Sequence, residues 1–376
     1  MAVYLDFNAS APIDPRVLDR MIDVYKNHPG NADSRTHIYG ADAKEIVLSS
    51  RKTIAEILSI DNTDLIFTSG STESNNMAIL GLIDYAKETG KNHFITSAIE
   101  HKSVLEAMKR LKKLGFEVDF VSPDSSGRVK PEQILSLLTD KTLLVSIMHV
   151  NSETGIIQPI QEIGEALSNT STYFHVDATQ GFGKLNDDLR RTKYDMLSIT
   201  AHKLGGPQGV GGLVLKRDRS YKRPPITPLM CGGQQERGFR PGTTPVALVA
   251  GFALAAELCE KEAAVHREAC SQIKAKLINA VSGLDYTFNG DQNFCIPSTA
   301  NISFQGVDAE ALFLTVKSDY AFSNGSACNS GSHEPSYVLM AMGLSKERIN
   351  EAVRFSWGPS TNVDFKPLIG SITLMQ

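Results

Sequence analysis

Lys203 stands where an apolar, strand-like run meets a glycine-rich turn, in the stretch 197–212 that reads LSITAHKLGGPQGVGG. A strand end that presents one amine to a backbone-lined pocket suits Schiff-base chemistry, which needs a lysine fixed in place and partly deprotonated near neutral pH. A solvated lysine beside a turn would leave the same local trace, so other polar clusters must decide. The stretch 68–75, TSGSTESN, puts Ser71 and Thr72 after Gly70 at a strand-to-helix junction. A helix start of that kind offers N–H groups and hydroxyls to a phosphate, while Ser and Thr there also serve as plain caps. In HVDATQ (175–180), Asp177 ends a buried strand. A buried carboxylate is costly unless it meets a cation or strong donors. A protonated pyridine nitrogen would satisfy it, and so would capping of the following turn. His101, in EHK after the strand-like HFITS, is placed to stack on a flat cofactor, to move protons, or to serve structure alone. Cys328 sits among small polar residues in SNGSACNSGSH (323–333), where a thiol has the access to solvent that a nucleophile needs, and where an inert surface cysteine would leave the same trace. Arg354, within AVRFSWG, needs an anionic partner, either a carboxylate held bidentately or a structural ion pair. The loop RGFRPGTT (237–244) carries donors for an anion in this subunit or a neighbouring one.

These residues need a frame. From Asp64 onward, β-rich runs (LIFTS 65–69, HFITS 93–97, FEVDFVS 116–122, TLLVSIMHV 142–150, YFHVDA 173–178, YDMLSIT, GVGGLVLKR) alternate with helical patterns, the first near 73–87. Several runs are continuously apolar, which indicates burial on both faces. Alternation of this kind predicts an α/β fold with a mostly parallel sheet wrapped by helices. Near Thr244 the pattern changes to one long Ala-rich helical stretch (245–281) and then to a smaller α+β arrangement. The expected division is a large domain over 15–255 and a small one built from 1–14 and 256–376, since chain ends often lie together.

Composition narrows the function. At 376 residues the chain is long for one core, and 41% apolar with 21% charged residues is ordinary for a globular enzyme. A net charge of −4 argues against direct nucleic-acid binding. No signal-peptide layout and no bilayer-length apolar run is expected to direct the chain to a membrane. Five cysteines without close pairing fit a reducing cytoplasm. No metal ligand set is expected.

In order and spacing, the clusters resemble the fold-type I pyridoxal-phosphate enzymes. The resemblance is closer still to the cysteine desulfurases of the NifS/IscS group, over nearly the whole chain. It is carried by YLDFNASAPIDPRV, GNADSRTH, FTSGSTESNN, EHKSVL, SIMHVNSETG, HVDATQ, AHKLGGPQGVGG, GGQQERGFRPGT, SNGSACNS, EPSYVL and VRFSWG. It implies pyridoxal 5'-phosphate as cofactor, L-cysteine as substrate, a homodimer and a sulfur-acceptor protein. Lys203 would hold the cofactor as a Schiff base and shuttle a proton. Ser71, Thr72, Thr200 and His202 would hold the phosphate, with Thr243 arriving from the partner subunit. Asp177 would pair with the ring nitrogen, Gln180 with the ring hydroxyl, and His101 would stack on the ring. Arg354 would bind the substrate carboxylate, with Asn151 and Ser152 beside it. Cys328 would take the sulfur as a persulfide, leaving alanine.

Three departures stand out. Ser152 occupies a position that is often a second asparagine, and Ala9-Ser10-Ala11-Pro12 replaces a threonine-bearing ATTP. The chain reaches Gln376 where housekeeping members continue into a tail that docks the iron–sulfur scaffold, so a different acceptor is expected. QGFGK (180–184) and the 232–243 loop also resemble desulfurases serving DNA phosphorothioate modification. Rival readings are a selenocysteine lyase or aminotransferase of the same fold, and a non-catalytic sulfur-relay subunit. Transamination needs no protein thiol, so Cys328 favours the desulfurase.

Overall fold

The structure, a computed structural model, describes residues 2–218, 220–323 and 335–376. Its twelve strands are β1 (Val3–Tyr4), β2 (Leu65–Thr68), β3 (His93–Ser97), β4 (Glu117–Val121), β5 (Thr142–Met148), β6 (Tyr173–Asp177), β7 (Met196–Thr200), β8 (Gly211–Leu215), β9 (Tyr286–Phe288), β10 (Thr299–Phe304), β11 (Tyr320–Ala321) and β12 (Ala352–Ser356). The continuous apolar runs form a seven-stranded sheet in the order β2-β8-β7-β6-β5-β3-β4. All neighbours are parallel except β8, which runs against β2 and β7. Helices cover both faces, so β2, β3, β5, β7 and β8 are buried along their length, whereas the edge strand β4 alternates.

Two helical stretches break where the sequence pattern runs on. The run near 73–87 is two helices, Ser71–Leu80 and Ile83–Thr89. At the break a Cβ on Gly81 would lie 2.4 Å from the Met77 carbonyl, and the Gly81 carbonyl is taken by the Thr227 N–H at 2.8 Å. The Ala-rich stretch is Val246–Lys261 followed by Ala263–Val281, turning at Glu262, whose carboxylate is held by Arg16 at 2.6 Å and His266 at 3.0 Å. In both places a tertiary contact overrides local propensity.

Beyond the large sheet, β12-β10-β9 form an antiparallel sheet and β1 pairs with β11 in parallel. A separate apolar cluster packs there, with Leu5, Phe304, Phe355, Trp357 and Leu368 at its centre. The N-terminal segment starts in this cluster and then crosses to the large sheet, where Ala11 N–H meets the His202 carbonyl at 2.9 Å and Asp14 N–H meets Gly205 at 2.8 Å.

Candidate active site

Ligand sites in open α/β sheets form beyond the carboxyl ends of the parallel strands. The turns after β2, β3, β5, β6 and β7 here enclose one cavity of about 540 Å³. Its wall includes Ser71, Thr72, His101, Asp177 and Gln180, and continues through Ser152, Thr200, His202, Lys203 and Arg354. Ten of the sequence-derived candidates therefore converge.

One end is built for an anion. Gly70 takes φ +149°, and the helix Ser71–Leu80 begins without any side-chain cap bond. Its first N–H groups are left for a ligand, and the Ser71 hydroxyl is buried without a partner among the described residues. A Cβ on Gly211 would sit 2.7 Å from the Gly70 Cα, so only glycine lets β8 pass behind this turn. Burial, aided by the Lys203 charge, pulls His202 down to about 4, so it offers a neutral imidazole.

At the centre, Asp177 is buried at the end of β6. One carboxylate oxygen accepts from Thr179, both from the backbone N–H at 3.0 Å and from the hydroxyl. The other accepts from Asn75 Nδ2 at 2.8 Å. Capping and cavity lining thus coexist in one residue. Asn75 also donates to Ser103 Oγ at 2.8 Å, which lies 2.8 Å from His101 Nδ1, and the Ser103 N–H donates to the same nitrogen at 3.2 Å. Two donors on Nδ1 leave the proton on Nε2. Burial lowers the His101 pKa, despite the opposing pull of Asp177. His101 is therefore both a helix cap and a neutral ring on the cavity wall.

Lys203 Nζ donates to the carbonyls of Asn8 and, at 2.5 Å, Ala9. Arg354 reaches the opposite end from β12, with Nη2 on Asp6 Oδ1 at 2.5 Å, Nη1 on the Ser152 carbonyl at 3.2 Å, and a buried Nε without a partner. Ser152 takes part through its carbonyl, which also accepts from Asn8 Nδ2 at 3.0 Å.

Two candidates lie elsewhere, and a third falls outside the described residues. Asn151 is buried off the cavity wall: Nδ2 donates to the Ile99 carbonyl at 3.0 Å, and Oδ1 accepts the Glu153 and Thr154 N–H groups, each at 2.9 Å. Its amide shapes the turn that presents Ser152. Thr243 is exposed and lines no part of this cavity. Cys328 lies outside the described residues, but its segment departs from anchored points. Ser323 and Arg354 exchange backbone hydrogen bonds at 3.1 and 2.7 Å, and Tyr337 donates to the Glu100 carbonyl at 2.8 Å.

Asn75, Asp6, Asn8 and Glu100 were not singled out from sequence. Asn75 falls within a motif already noted, one helical turn past Ser71 and so on the same helix face. The uncapped helix start with its partnerless Ser71 hydroxyl fits a phosphate, and the buried Asp177 fits a protonated ring nitrogen. The residues present thus suit pyridoxal 5'-phosphate.

Comparison with known proteins gives the same direction. The family model of aminotransferase class-V matches residues 3–364. A curated relative, cysteine desulfurase IscS from Shewanella sp. (strain W3-18-1), is 42% identical over 366 residues, covering 96% of this chain and 89% of that protein. Among solved structures, DndA from Streptomyces lividans is 46% identical with a TM-score of 0.83, over 92% of this chain and 97% of that one. A structure described as SspA in complex with cysteine is 33% identical with a TM-score of 0.84, over 96% of this chain and all (100%) of that one.

Proposed function

The chain belongs to the class-V aminotransferase family, and on that premise we propose that it is a pyridoxal-phosphate-dependent cysteine desulfurase whose persulfide forms on Cys328. The observation that carries the reading is the convergence of Lys203, Asp177, His101 and Arg354 on one cavity. Relatives at 42% and 46% identity over nearly the whole chain support it.

When bound, the cofactor supplies an electron sink conjugated to the substrate's α-carbon. The chain supplies the rest. Ser71, Thr72, Thr200 and His202 hold the phosphate, Asp177 keeps the ring nitrogen protonated, and Lys203 anchors the cofactor and moves the α-proton. Arg354 fixes the carboxylate of L-cysteine. The Cys328 thiolate forms an S–S bond to the substrate sulfur. The Cβ–S bond breaks with its electron pair left on the carbon side, and Cβ then takes a proton, so that L-alanine leaves. The sulfane sulfur remains on Cys328 for an acceptor protein.

Thr243 on its exposed loop would complete the phosphate site of a second copy, making the enzyme a homodimer. The division proposed is a large part over 15–255 and a smaller one from 1–14 with 256–376, to which Cys328 belongs in sequence. Among the described residues no helix is long and apolar enough to cross a membrane, and a cytoplasmic setting suits the free thiols. Similarity to DndA at 46% identity, with the QGFGK stretch, supports an acceptor in DNA phosphorothioate modification.

The purified protein given L-cysteine should yield alanine and sulfide in equal amounts under a reductant. Cys328→Ser should abolish turnover while the cofactor's visible band survives. Full turnover by Cys328→Ser would refute the persulfide step, and faster release of selenium from selenocysteine with that variant still active would favour the lyase.

A further inference from the structure

A second cavity of about 560 Å³ is walled by Phe7, Lys184, Leu204, Cys259, Cys270 and Trp357 among others. Lys203 borders both cavities. Lys184 has no part in the chemistry assigned above. Its acidic neighbours on the cavity wall, Asp14 and Glu262, are already paired with Arg16 at 2.7 and 2.6 Å. Its amine donates to Gln180 Oε1 at 3.1 Å.

Gln180 is buried and faces the cofactor cavity. Its Nε2 donates to the Asn8 carbonyl at 2.9 Å, and that carbonyl also receives Lys203 Nζ. A glutamine amide has one carbonyl and two N–H donors. With the carbonyl held by Lys184 and one N–H by Asn8, the second N–H is what remains for the cavity.

We propose that Lys184 is a positioning residue that orients and polarises Gln180, so that the amide offers a strengthened N–H to the ring oxygen of the bound cofactor. The inference rests on the cofactor reading above and goes beyond it in making a residue outside that cavity a regulator of the cofactor's protonation. A cationic donor on an amide carbonyl strengthens the hydrogen bond the same amide gives through nitrogen. The relay stabilises negative charge on the ring oxygen and so favours loss of a proton from the bound cofactor. Burial pulls the Lys184 amine down to about 8, so the cation is present through the neutral range and is lost above it.

The test is a pH titration of the visible absorbance of the cofactor-loaded protein and of Lys184→Met, Gln180→Leu and the double variant. Lys184→Met should keep the band and move its midpoint upward by about half to one pH unit. Gln180→Leu should move it upward at least as far, and the double variant no further than Gln180→Leu alone. An unmoved midpoint in Lys184→Met, or shifts that add in the double variant, would overturn the proposal. Melting of the cofactor-free proteins separates this from loss of fold; Lys184→Gln, neutral and polar, takes the place of Lys184→Met if the latter does not fold. Absence of any visible band in the unaltered protein would instead overturn the cofactor reading itself.

Discussion

Glu100 is fully buried in the turn between β3 and the helix Lys102–Lys113, one residue before the cavity's histidine. Its Oε1 accepts from Ser97 Oγ at 2.5 Å and from the Met148 N–H at 2.9 Å, while Oε2 is buried without a partner. Burial, with a smaller contribution from Asp177, pushes its pKa from 4.5 up to about 8 against those two hydrogen bonds. The folded protein therefore holds a proton that the unfolded chain releases above pH 4.5. The stability this group contributes is fully present below 4.5 and is lost as pH rises to about 8. At about 1.36 kcal/mol per unit, the loss across that window is of order 5 kcal/mol.

Glu100→Gln replaces the protonated acid with a neutral isostere. Its amide oxygen keeps the Ser97 and Met148 hydrogen bonds, and the titration disappears. Urea unfolding of the cofactor-free protein and the variant, followed from about pH 4.5 to about pH 9, should give curves that separate steadily. The variant should become the more stable by a few kcal/mol at the alkaline end, and cofactor binding should survive, because Asp177 remains the carboxylate that meets the ring. Parallel curves would show that Glu100 titrates as an ordinary glutamate and would refute the reasoning.

Two further substitutions probe other contacts. Arg51 and Glu236 form a buried ion pair at 2.7 Å, and Glu236 also accepts the Phe67 N–H at 2.9 Å from a backbone held at φ +46°. Arg51→Met strands that carboxylate and should cost about 3–5 kcal/mol in urea unfolding, with Arg51→Met/Glu236→Gln recovering part of the loss. Arg354→Lys exchanges a planar fork for a point charge that cannot serve Asp6, the Ser152 carbonyl and a substrate carboxylate together. The KM for cysteine should rise about 10- to 100-fold with the visible band unchanged, and an unchanged KM would remove Arg354 from substrate binding.

Residues at strand ends were legible in the sequence because an α/β sheet gathers such ends on one edge. Ser71, His101, Asp177 and Lys203 follow β2, β3, β6 and β7 in that way. Residues whose role is a contact with a distant segment were not. Asn75 meets Asp177 across 102 positions, and Asp6 meets Arg354 across 348. For Arg354 the structural ion pair is present with Asp6, and the side chain also borders the cavity. For Asn151 the amide satisfies two N–H groups of a buried turn, a local role that residue type alone did not specify.

Asn8 shows where sequence reasoning meets a physical limit. Its side chain joins the Ser152 carbonyl at 3.0 Å to Thr299 Oγ1 at 2.9 Å, and its N–H donates to Ser356 Oγ at 2.9 Å. Its carbonyl is the atom that meets Lys203 and Gln180. A carbonyl is the same in every residue, so no residue type at position 8 could announce that role. Substitution there would report on the side chain's bracing and leave the carbonyl in place. The lysine's setting is thus fixed partly by backbone, and the backbone is fixed by a segment that reaches the large sheet from the second apolar cluster. Loosening that cluster should therefore reach Lys203 through Asn8, as it reaches Arg354 directly through β12.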